Sequence, residues 1–220
     1  MVMSFFRKGE SGMDHITAQV VTMIGDARHS FDLACATVLG GADPARAAVD
    51  IAETDLRINR TEADLRRELI VHVSVQGAGD IGQVLGHTLL IKKVERIGDQ
   101  AKNILDLATE GVSLVGADDV GEFLRMQREI SQLFADVAAV LLDPGDAALD
   151  GLRRRAELLH DEQALRIREL LHSERPGYFA VPRAILHRYL KRIVANLNNI
   201  ATTVADPARL VNTGDDPPEN

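Results

Sequence analysis

The chain has no tryptophan, a single cysteine and an aromatic content of 4% over 220 residues. One cysteine excludes an internal disulfide and any zinc site built from several thiolates. Cys35 sits among Ala34, Ala36 and Val38, the setting of a buried structural thiol rather than a nucleophile. No apolar run reaches the roughly 18 residues that a membrane-spanning helix needs. The seven histidines include no pair spaced i, i+4, which removes the zinc-protease helix. A nucleophile elbow and a Walker loop are also missing, so the chain is not expected to be an enzyme. Its net charge of −8 argues against nucleic acid as the main partner, because phosphate backbones need a concentrated basic face. Arg66-Arg67 and Arg153-Arg154-Arg155 read as solvated helix faces. The lack of disulfides and of a signal peptide leads us to expect a cytoplasmic protein. Phe5-Phe6-Arg7-Lys8 is too short to anchor on a lipid surface alone.

What is abundant is aliphatic and helix-forming. Apolar residues make up 45% of the chain, carried by Ala, Leu, Ile and Val, a composition that favours helix over sheet. Six long segments are expected as helices. The first covers about 13–40, with Ile16, Val20, Met23, Ile24, Ala27 and Phe31 mostly at steps of three and four. Gly40-Gly41 ends it, and Asp43-Pro44 opens a second that runs to about Val73. The third spans about Asp80 to Glu110. Asp118-Asp119 open the fourth, which closes near Leu142. The fifth covers about 146–173 and the sixth about Val181 to Val204. Long helices on short loops form antiparallel hairpins, so we expect an all-α chain of two tandem antiparallel three-helix bundles. A flexible 1–12, a first bundle over 13–112, a second over 117–205 and a disordered tail over 206–220 complete that expectation.

The most informative stretch is Val94-Glu95-Arg96-Ile97-Gly98-Asp99-Gln100-Ala101-Lys102-Asn103-Ile104. Glu95 and Asp99 lie four residues apart and therefore on one helix face, with Cβ atoms about 5–6 Å apart, close enough to share a cation. An offset of 96 residues aligns Arg96 with Arg192, Ile97 with Ile193, Asn103 with Asn199 and Ile104 with Ile200. The chain thus reads as a duplication. At the same offset Glu95 and Asp99 become Lys191 and Ala195, with Arg188 and Arg192 adding positive charge nearby.

A competing motif needs weighing. Leu69 to Val75 is rich in branched residues, and Gly77-Ala78-Gly79-Asp80-Ile81-Gly82 matches G-x-G-x-x-G, the dinucleotide-binding pattern. Such a site requires further strands, and none is found. A glycine-rich loop between the second and third helices is the better reading, with a nucleotide site over Gly77–Gly82 as the alternative.

Taken together, Asp55 to Ala108 resembles the second-to-third helix region of the PhoU family of bacterial phosphate-signalling regulators. The matching features are Asp55, Ile58-Asn59, Glu62 and Leu69-Ile70 on one helix. On the next they are Glu95-Arg96-Ile97-Gly98-Asp99 and Asn103-Ile104. The resemblance implies two three-helix bundles with an E/D-x-x-x-D motif in each repeat, through which some members bind metal. It also implies regulation of a phosphate-responsive sensor histidine kinase through its contact with a phosphate transporter, without catalysis, and related domains accompany other ion transporters. The expected metal ligands are Glu95 and Asp99 with Asp55 and Glu62 from the preceding helix, holding a divalent or iron ion that the protein does not require. Lys191 and Ala195 make a metal in the second bundle unexpected. The implied partners are the kinase or transporter subunits, a homodimer is conceivable, and any membrane contact runs through those partners.

Overall fold

A computed structural model describes residues 12–77, 79 and 81–205. The expected flexible start and disordered tail therefore lie outside the described residues, apart from Gly12. Six helices follow one another: α1 (Gly12–Gly40), α2 (Pro44–Gln76), α3 (Ile81–Thr109), α4 (Val120–Leu142), α5 (Asp146–Leu171) and α6 (Gly177–Ala205). No strand occurs among the described residues. Leu69 to Val75 lies inside α2, which removes the strand that a dinucleotide site would need.

Local chemistry accounts for most of the boundaries. Asp43 accepts a hydrogen bond from the Ala45 amide at 2.9 Å, and Pro44 begins α2 where its missing N–H costs nothing. Gly41 and Gly111 take φ values of +72° and +85°, which glycine adopts without strain. Two boundaries differ from expectation. α6 begins at Gly177 rather than near Val181, because the Pro176 carbonyl accepts from the Phe179 and Ala180 amides and starts the helix early. This leaves Pro182 inside the helix. Asp119 sits at the N-cap position of α4 but makes no capping bond; its carboxylate is engaged elsewhere.

α1, α2 and α3 pack against one another, as do α4, α5 and α6, and the two bundles join through α1 on α4 and α3 on α6. Phe31 and Phe134 stack across the junction with ring centroids 5.6 Å apart. Asp32 accepts from Gln127 at 2.6 Å and from Ser131 at 2.9 Å, while Arg28 donates to Ser131. One hydrophobic cluster, from Ile16 to Ala201, runs through both bundles. Cys35 is buried in it, and desolvation, helped by Asp32, raises its thiol pKa, as befits an inert structural residue.

The 96-residue offset is visible in this core. Leu90, Val94, Ile97, Ala101 and Ile104 of α3 are buried, and so are Leu186, Leu190, Ile193, Leu197 and Ile200 of α6 at the shifted positions.

Candidate functional site

The acidic side chains predicted on α2 and α3 are each engaged in ion pairs. Lys102 Nζ stands 2.9 Å from Asp55 and 2.8 Å from Asp99, bridging α2 and α3. Desolvation is the largest single influence on its ammonium and lowers the pKa, but the hydrogen bonds and charges of Asp99 and Asp55 together outweigh it and raise the pKa. Asn59 donates to Asp55 at 3.2 Å, consistent with their shared face. Glu95 reaches Lys92 at 2.5 Å and Glu62 reaches Arg66 at 2.7 Å, each within its own helix. The structure therefore brings Asp55 and Asp99 together around one ammonium and gives Glu62 and Glu95 separate basic partners. No cluster of three or more His, Cys, Asp or Glu side chains able to hold a metal occurs among the described residues. The oxygen donors suit a hard cation, yet an ion between Asp55 and Asp99 would have to displace Lys102.

The glycine segment lies at the α2–α3 junction, as expected. Gly77 caps α2 with φ +80°, Gly79 follows in the turn and Gly82 is in the first turn of α3. Apolar side chains crowd around this hairpin end: Ile70, Val71, Val75, Ile81 and Leu85 are all more than half exposed.

The second bundle holds polar features that the sequence did not disclose. His187 is 3% exposed, stacks near Phe123 with centroids 4.6 Å apart, and pairs through Nδ1 with Gln163 Oε1 at 2.6 Å. Gln163 in turn donates to Met126 Sδ. Burial, with Arg166 nearby, lowers the His187 pKa to about 4, so the ring is neutral at pH 7. Beside it Arg183 donates to both oxygens of Asp119, at 2.7 and 3.0 Å. That guanidinium is what holds the Asp119 carboxyl below its usual pKa. A small cavity of about 200 Å³ adjoins Asp119, Arg166, Arg183 and His187. The available signal was the offset itself: His187 aligns with Ile91 of α3, a polar residue in place of an apolar one at a buried position.

The geometry matches a known fold and a known domain. Residues 20–108 match the family model of the PhoU domain. The first bundle is thus similar to a PhoU domain. Among solved structures, the crystal structure of PhoU from Pseudomonas aeruginosa superposes with a TM-score of 0.75 at 18% identity, covering 90% of this chain and 97% of that one. At that identity the likeness speaks for the fold, and its coverage extends the PhoU-like fold through the second bundle. No curated protein sequence matches the chain. No described helix is long and apolar enough to cross a membrane.

Proposed function

We propose that the protein is a PhoU-like, non-enzymatic regulator of phosphate uptake or phosphate signalling, working in the cytoplasm by protein–protein contact. The observation that carries this reading is the match of residues 20–108 to the PhoU domain model. It is supported by the exposed apolar end of the α2–α3 hairpin, where Ile70 is 67% and Val75 73% exposed. Clustered apolar side chains on a charged helical surface mark a place where another protein docks. The partners we assign are a sensor histidine kinase or the cytoplasmic subunits of a phosphate transporter, with membrane contact only through them. Asp55, Glu62, Glu95 and Asp99 serve in this reading as a charge-balanced face, to which a divalent or iron ion is an optional addition.

The test is recovery of the tagged protein from its host before and after phosphate limitation, beside an Ile70→Glu/Val75→Glu variant. The expected result is a kinase or phosphate-transporter subunit retained by the parent and lost from the variant. Subunits of a different ion transporter would select the accessory-subunit reading instead.

A further inference from the structure

The groove between α5 and α6 has a charge pattern that nothing in the regulatory reading uses. It has a volume of about 570 Å³ and is lined by Arg168, Arg188, Lys191 and Arg192, with Ile167 and Leu171 supplying apolar surface. No carboxylate lines it, whereas His160 and His172 add ring nitrogens. α6 contains no Asp or Glu over its whole length, Gly177–Ala205. Three arginines of these same helices do find carboxylates: Arg155 reaches Asp136 at 2.7 Å, Arg166 reaches Glu122 at 2.6 Å and Arg183 reaches Asp119 at 2.7 Å. Among the described residues, none of the four groove cations has such a partner.

Four like charges converging on one concavity repel one another, and a chain with a net charge of −8 had carboxylates available to relieve them. An entering anion removes that repulsion. Guanidinium groups match phosphate oxygens with paired N–H donors, and three of the four cations are arginines. Arg168, Arg188 and Arg192 are exposed, so a single anionic group would gain little from each through water. Several linked groups would collect all of the contacts for one cost of association. The volume lies within the range of small-molecule sites, roughly 300–1,000 Å³. An extended acidic peptide fits less well, since its successive side chains point to opposite sides and spread their charge beyond the groove.

We propose that the α5–α6 groove is a binding site for a small anion carrying two or more linked phosphate groups, either an inorganic polyphosphate or a nucleoside polyphosphate. It rests on the second bundle alone, outside the matched domain, and stands or falls independently of the regulatory role.

The experiment is calorimetric titration of the full chain with sodium tripolyphosphate and, separately, ATP. The parent should bind both, and Arg188→Ala/Arg192→Ala should weaken binding by about threefold to fivefold per arginine. Arg153→Ala/Arg154→Ala, on α5 but outside the groove, should bind as the parent does, and circular dichroism should show both variants folded. Tighter binding of ATP would mean that Ile167 and Leu171 hold an organic body and would make a nucleotide the source. Tighter binding of tripolyphosphate would make it the inorganic chain. Absence of binding by the parent at about 1 mM of either anion would overturn the proposal. So would an equal loss in the control variant, or displacement by a glutamate oligomer of equal charge.

Discussion

α3 and α6 are the same helix twice in their packing and different helices in their chemistry. At the 96-residue offset the buried positions coincide: Val94 with Leu190, Ile97 with Ile193, Ala101 with Leu197. The outward face does not. Lys92, Glu95, Asp99 and Lys102 carry both signs and satisfy one another or Asp55. Their counterparts Arg188, Lys191, Ala195 and Asn198 carry positive charge alone. Core positions are constrained because interiors are close-packed and each lost methylene is felt. Exposed charges cost little to exchange, so a surface can change purpose while the bundle beneath it stays the same.

The strongest test of the comparison asks whether the two bundles are separate units or one. Phe134 is 1% exposed and stacked on Phe31 across the junction. Phe134→Ala should cost about 3–5 kcal/mol, read as a lowered urea midpoint with a single transition retained. Two resolved transitions would show bundles that fold apart.

Next comes the buried histidine that only the second bundle possesses at this position. The His187 pKa is about 4 in the folded chain against an ordinary 6.5, so between these values the unfolded chain binds more protons. Stability should therefore rise as pH increases from 4 to 6.5, by on the order of 3 kcal/mol. His187→Ile, which installs the residue type of position 91, should remove most of that slope. An unchanged urea-midpoint profile from pH 4 to 7 would mean that the ring is not held neutral.

The first bundle's face gives a smaller effect. Lys102→Met leaves Asp55 and Asp99 facing each other without their shared ammonium. Because Lys102 is 39% exposed, the loss should stay below about 1 kcal/mol. Added Mn²⁺ should then raise the melting temperature of this variant more than that of the parent. Equal shifts would dissociate the acidic pair from metal affinity. The smallest effect is at the hairpin loop: a Cβ at Gly79 meets nothing within 4 Å. Gly79→Val should alter stability by less than about 0.5 kcal/mol, and parent and variant alike should leave NAD(H) fluorescence unchanged.

Much of the fold was legible because helix signals are local. The steps of three and four from Ile16 to Phe31 placed α1, and Asp43-Pro44 placed the start of α2. α6 was harder, since its first turn is held by the Pro176 carbonyl instead of a capping side chain. On the candidate site, the i, i+3 spacings of Lys92 with Glu95 and of Asp99 with Lys102 account for those two ion pairs. They did not reveal that Lys102 also crosses to Asp55, 47 residues away. Asp119 misled in the same manner: it reads as a helix cap, yet it serves Arg183, 64 residues on.

The sequence alone determined six amphipathic helices, their short connections and the duplicated burial pattern, because periodicity and turn chemistry act over a few residues. Only the tertiary structure decided which charges meet. It set Lys102 between Asp55 and Asp99 and closed His187 onto Gln163. It also left Arg168 of α5 facing Arg188, Lys191 and Arg192 of α6 across one groove. Helical period assigns a side chain to a face, but the partner of that face depends on how distant helices pack, which no local pattern encodes.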